Sequence, residues 1–252
     1  MLKKFFLLIV LAALAVCPTA LKAQTEIVNG YDAASFEPFA YVDSTGVVQG
    51  FDVDCVNWII EKAGRQVSHQ PFAWESIVEL LQNKNINMIA SGLSITAERA
   101  EKVAFTKPYW TIKQVVLVGK NSPLTLEDVL TGGKKIGIQL GTSDLQSMED
   151  ANGKDGRNYE IVGYPSPDLA AEDVVNGRLD AVVMNDDRGY AILQTLDVKF
   201  LGYAGIPDED FGYAVNKDDA ELLEILNNGI DAIKADPIWD ELVKKYNLDK
   251  KL

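Results

Sequence analysis

The sequence predicts an α/β protein of two lobes, and two observations carry that prediction. Short apolar strands alternate with helical patterns almost throughout, as βα units around a largely parallel sheet require. The chain also contains no internal repeat, low-complexity tract or long linker, so strands rather than a loose connector must join the lobes. Val118–Lys120 and Gly205–Phe211 suit the outward and return crossings.

The first residues stand apart from this pattern. Lys3 and Lys4 make a positive start, Phe5–Val16 is an unbroken apolar run, and Leu21-Lys22-Ala23 places a small residue before Gln24. That order describes a cleaved secretory signal over residues 1–23. The run is shorter than the roughly 20 residues that span a bilayer. Cys17 would anchor a lipoprotein only with bulky Val16 where a small residue is wanted.

Downstream, Gly50 closes a turn and Asp52–Ala63 reads as a helix stopped at Gly64. Ser76–Leu81 is a second short helix and Ile86–Ala90 a buried strand. Val115–Val118 lacks polar alternation, as a strand covered on both faces does. Thr125-Leu-Glu-Asp128 has the form of a capping box, opening a helix that ends near Gly132-Gly133. Ile136–Gln139 follows as a strand. Ser166 and Pro167 supply an N-cap and a preset first helical residue, Gly177 a C-cap, and Ala181–Met184 the next strand. Leu222, Leu226, Ile230 and Ile233 recur at helical spacing, as do Trp239, Leu242, Val243 and Tyr246; both stripes read as core.

Charge and cysteine content narrow the function. Loss of Lys3, Lys4 and Lys22 with the signal takes the formal charge from −13 to −16. So acidic a chain offers no basic stripe to phosphates, which argues against nucleic-acid binding. No second long apolar segment follows, and about 230 residues can bury a sizeable core. Cys55 remains alone among Val53, Val56, Ile59 and Ile60, which points to a buried, inert thiol. With His69 the one histidine, expected on the surface, there is no Cys/His set for zinc, and no loop has calcium-site spacing. No metal or cofactor is expected.

Ser35-Phe-Glu-Pro-Phe39, Gly50-Phe-Asp-Val-Asp54, Ser91-Gly-Leu-Ser-Ile-Thr-Ala-Glu-Arg99, Phe105-Thr-Lys-Pro-Tyr109, Leu140-Gly-Thr-Ser143, Gly177-Arg-Leu-Asp-Ala-Val-Val183, and Lys234-Ala-Asp236 with Trp239 follow one another along the chain. In that order they resemble the polar amino-acid binding family of bacterial periplasmic solute-binding proteins (family 3, the substrate-binding component of ABC transporters). The likeness spans nearly the whole mature chain. It implies a type II periplasmic binding protein-like fold, two α/β lobes joined by two hinge strands with a ligand cleft between them. Residues 24–117 plus 207–252 would form one lobe and 118–206 the other. It also implies a periplasmic monomer that captures a small carboxylate-bearing ligand, an amino acid in this family, and delivers it to an ABC transporter permease.

The resemblance places a ligand carboxylate on Arg99, whose planar fork supplies two donors, aided by the Ser94 N–H, with the Gly92 carbonyl for an ammonium. Read from spacing alone, Arg99 could equally pair with Glu98 or Glu101. Thr142 and Ser143 sit at a strand-to-helix junction whose N–H groups would reach the same carboxylate on closure, or would simply cap the helix. Gln139 either faces the ligand or finishes its strand. Phe36 and Trp74 match the aromatic walls of the family's cleft. The departure is Asn185, where the family carries an aspartate for the ligand ammonium; either Asp186 takes that role by a small shift, or the ligand lacks a conventional α-ammonium. An enzyme reading, an elimination as in the cyclohexadienyl dehydratases that resemble this fold, would need Glu37, Asp186 or Asp187 as acid or base. A third reading is a soluble sensor for a membrane receptor.

Overall fold

The computed structural model describes residues 26–250 and Leu252; the signal segment expected over 1–23, with Cys17, lies outside the described residues. The chain opens with β1 (Ile27–Asp32), followed by a small hairpin of β2 (Tyr41–Val42) and β3 (Val48–Gln49). Next comes α1 (Phe51–Lys62). Gly50 enters this helix at φ 140°, where a Cβ would lie 2.1 Å from the Phe39 carbonyl oxygen, so only glycine fits. Asp52 and Asp54 occupy the first turn, at the positive end of the helix dipole.

Then follow β4 (Val67–Phe72), α2 (Ile77–Gln82), β5 (Met88–Ile89), α3 (Ala97–Lys102) and β6 (Ala104–Phe105). β1 pairs in parallel with β4 and β5. The first sheet runs β4-β1-β5-β14-β6, where β14 (Ala214–Val215) arrives from late in the chain and lies antiparallel to β5 and β6.

The chain leaves this lobe through β7 (Trp110–Ile112) and re-enters through β13 (Glu209–Phe211), an antiparallel pair with Ile112 opposite Glu209. β8 (Gln114–Gly119) lies wholly in the second sheet. The outward crossing is therefore at 110–113 rather than at Val118–Lys120. The physical reason is burial: Val115 to Val118 are each 0% exposed and serve the second core, which a hinge cannot do.

The second sheet runs β10 (Tyr159–Tyr164), β9 (Lys134–Gln139), β11 (Ala181–Asn185), β8, β12 (Val198–Tyr203). β9, β10 and β11 are parallel, while β8 is antiparallel to both neighbours because it enters from the hinge, at the edge where β11 ends. Helices α4 (Leu126–Thr131), α5 (Ser143–Ala151), α6 (Pro167–Val175) and α7 (Asp186–Leu193) pack around it. Val115 and Leu117 join Ala170, Ala171 and Val174 on one face; Val116 and Val118 join Val129 and Met148 on the other. This two-sided burial is what an unalternating apolar strand demands.

The first lobe is closed by α8 (Ala220–Ala235) and α9 (Ile238–Lys245). Leu222, Leu226, Ile230 and Ile233 all bury against Phe51, Ile59 and Tyr213, joined by Leu242 and Tyr246. Cys55 is buried in the same core. His69, expected on the surface, is instead half-buried on β4. Its Nδ1 accepts from Asn29 Nδ2 at 3.0 Å, and its Nε2 lies 3.0 Å from Asn57 Oδ1. Burial pushes its pKa down to about 4, so the ring is neutral and structural.

Candidate functional site

Strands of both sheets end on one cleft: β1 at Asp32, β9 at Gln139, β11 at Asn185, with Gln114 of β8 opposite Asn185. Open α/β sheets place ligand sites outside the carboxyl ends of their strands. The cleft encloses about 480 Å³ of empty space, including its part open to solvent. Phe36, Trp74, Gly92, Ser94, Arg99, Gln139, Thr142, Ser143 and Asn185 all line it.

Arg99 is held by local geometry. Thr96 N-caps α3, its Oγ1 accepting from Arg99 N at 3.2 Å, and the guanidinium donates from Nη1 to Ser94 O and from Nη2 to Gly141 O, both at 3.0 Å. Its Cζ lies 5.9 Å from the Trp74 ring centroid. Burial lowers the Arg99 pKa, opposed by the nearby Glu209, Asp144 and Glu98 carboxylates. The expected surface alternative is not taken, since Glu98 pairs with Lys102 at 2.6 Å.

The facing wall belongs to the second lobe. Thr142 both caps α5, accepting from Leu145 N at 3.3 Å, and donates to Gln139 O at 2.7 Å. Ser143 Oγ donates to Glu209 Oε2 at 2.6 Å, tying the helix start to the hinge strand β13. Gln139 Nε2 reaches across to Asp32 Oδ2 at 2.7 Å. With the Arg99–Gly141 bond, this joins the two lobes over the cavity, and Arg188 of α7, held by Asp168 of its own lobe, adds a third link by meeting Glu37 Oε2 at 3.4 Å.

Asp186 departs from expectation. It does not line the cavity; its Oδ1 accepts from Lys113 N at 3.1 Å and its own N–H donates to Lys113 O, so it braces the hinge. As the first residue of α7 it points where the helix sends it, away from the wall that Asn185 occupies. Asn185 N-caps that helix, Oδ1 accepting from Arg188 N at 2.8 Å. Neither of the other acid/base candidates lines the cavity: Glu37 holds Arg188, and Asp187 accepts from Trp110 Nε1 at 2.6 Å.

The carboxylates that do line the cavity are Asp32, Asp144 and Glu209, none of which the motifs singled out. Asp32 is 2% exposed; burial raises its pKa, with Asp168 adding to the rise and bonds from Ala34 and Gln139 opposing it. Burial also raises Asp144, to about 6, against bonds and the Arg99 charge that lower it. Ile112, Gln114, Pro167, Val183, Met184 and Phe211 complete the wall, all of them apolar but Gln114. The available signals were positional, Asp32 at a strand's carboxyl end and Asp144 next to the Thr142-Ser143 junction. Glu209 sits in an acidic run, Asp208 to Asp210, that has no such mark.

Residues 27–249 match the family described as bacterial extracellular solute-binding proteins, family 3. A probable histidine-binding protein of Neisseria gonorrhoeae is 32% identical over 219 residues, 84% of this chain and 80% of that one. The ABC transporter arginine-binding protein 1 of Escherichia coli K12 is 29% identical over 94% of this chain and 98% of that protein. Among solved structures, an ancestral amino acid-binding protein, a precursor of cyclohexadienyl dehydratase, superposes with a TM-score of 0.79. It is 30% identical and covers 88% of this chain and 95% of its own. The two lobes, two crossing strands and intervening cleft are the type II periplasmic binding fold that such a likeness implies.

Proposed function

This chain belongs to the bacterial extracellular solute-binding proteins, family 3, and we propose that it captures a cationic amino acid in the periplasm and delivers it to an ABC transporter permease. Its place in that family is that of a transport binding protein, not an enzyme. The observation that carries the ligand class is the charge of the cavity wall: one guanidinium, Arg99, against three carboxylates, Asp32, Asp144 and Glu209. Arg99, the Ser94 N–H and the start of α5 with Thr142 and Ser143 would take the ligand carboxylate. Phe36 and Trp74 would flank its aliphatic stem, with Gly92 offering a carbonyl to the α-ammonium. Asn185 would give that ammonium an acceptor without countercharge. Asp32, bridged by Gln139, would meet a positive side chain at the other end. The relative named for arginine supports the same reading.

The working unit in this reading is a secreted monomer freed of residues 1–23. Its lobes, 26–112 with 210–250 and 114–206, would close on the ligand about β7 and β13. Calorimetry and thermal melting with L-arginine, L-lysine, L-histidine, L-glutamine and L-glutamate test the proposal. A cationic member should bind tightest, and at a hundredfold excess over its Kd it should stabilise the fold by about 2.7 kcal/mol. Tighter binding of glutamate or glutamine than of every cationic member would sink it.

A further inference from the structure

We propose that Asp52 is a positioning residue of the ligand site, holding the Gly92 peptide in the cavity wall from behind; this rests on reading Gly92 and Ser94 as ligand contacts. Asp52 is 0% exposed in the first turn of α1, with no part in the cavity itself. Its Oδ2 accepts from Gly92 N and from Tyr109 OH, both at 2.7 Å, while its Oδ1 is buried without a hydrogen-bond partner. Only glycine fits at position 92. Its φ is +62°, and a Cβ there would come within 2.5 Å of the Phe36 ring and 3.1 Å of Phe211, both cavity walls. The carboxylate thus fixes a peptide that packs directly on the aromatic wall.

A structural residue in this place would be better neutral. Among the described residues no cation pairs with Asp52; the groups that face it are the Gly92 N–H, the Tyr109 phenol, the Cys55 thiol and the Tyr213 phenol. Burial raises its pKa to about 7, against the two bonds that lower it. The ionised form is therefore costly to the fold and is also the stronger acceptor for Gly92. Stability and positioning pull in opposite directions as pH rises through about 7. Protonation would weaken the grip on Gly92, because a neutral acid accepts less strongly.

The test follows the Gly92 amide resonance of the ligand-free full-length mature protein between pH 5.5 and 8.5, together with the affinity for L-arginine, which does not titrate in that range. The amide should titrate with a midpoint near 7 in the wild type and stay flat in Asp52→Asn. The variant's Kd should rise roughly three- to tenfold at pH 8, with no loss of melting temperature there. A merely structural role predicts that stability and affinity fall together, which overturns the proposal. If Asp52→Asn does not fold, Tyr109→Phe removes one bond that holds the pKa down, so its midpoint should move upward; an unmoved midpoint also overturns it. Should L-arginine fail to bind the wild type, the proposed ligand class fails, while the amide titration still decides the role of Asp52.

Discussion

At the scale of single residues, the cavity is built around charges whose cost is visible in their environment. Asp144 is 8% exposed at the start of α5, and burial raises its pKa to about 6. A carboxyl held above its ordinary value of 3.8 favours the fold in its protonated form. That contribution is complete below about 4 and is lost as pH rises through about 6. Asp144→Asn, which mimics the protonated acid, should therefore be more stable than wild type at pH 7.5 by about 1–3 kcal/mol and no more stable at pH 4. Urea unfolding at the two pH values measures this; an equal gain at both would mean that burial of the charge is not its source. Arg99, Thr142 and Ser143, which local sequence left open and the family resemblance pointed to, do line the cavity. The motifs missed Asp144, one position on, because a buried acid and an ordinary first-turn acid are spelled alike. Asp186 was misplaced for a related reason: one residue separates the end of β11 from the first turn of α7, and the side chains of Asn185 and Asp186 part there.

At the scale of elements, what was legible was what local chemistry dictates. The capping box of Thr125 and Asp128, the Ser166-Pro167 start of α6 and the apolar stripe of α8 all stand where their residues put them. The direction of β8 was not legible, since an apolar run reads alike both ways, and only the hinge's position makes it antiparallel. The loop before α5 shows how an element can serve closure. Gly141 has φ +74°, and a Cβ there would stand 2.9 Å from the Glu75 Cα of the opposite lobe. Backbone cannot yield as a flexible side chain does. Gly141→Ala would also place an L-residue in the left-handed region, costing about 1–2 kcal/mol. The expected outcome is a folded protein whose ligand-saturated form scatters X-rays with a larger radius of gyration than wild type, and whose affinity is reduced about tenfold or more. Wild-type affinity with an unchanged radius would show that Gly141 and Glu75 need not meet.

At the scale of the whole molecule, the formal charge of −13 and the acidic cavity point the same way. A low-dielectric cleft lined mainly by one sign of charge focuses the field and raises the local concentration of the opposite ion. Arg99 alone would attract an anion, but Asp32, Asp144 and Glu209 outnumber it within the same wall. A cationic amino acid is then drawn in before it is gripped, and its association rate carries the signature. Raising salt from about 0.01 M to about 1 M shortens the Debye length from roughly 30 Å to roughly 3 Å. Stopped-flow association of L-arginine should slow severalfold over that range, while that of neutral L-glutamine, where it binds, should barely change. The dissociation rate should move much less than the association rate, because the bonds that hold the ligand lie inside the closed cleft, beyond the reach of screening. A salt-independent association rate for L-arginine would mean that the cavity's excess of carboxylates is neutralised before the ligand arrives. The choice of ligand would then have to come from shape and hydrogen bonding at Phe36, Trp74 and Gln139 instead.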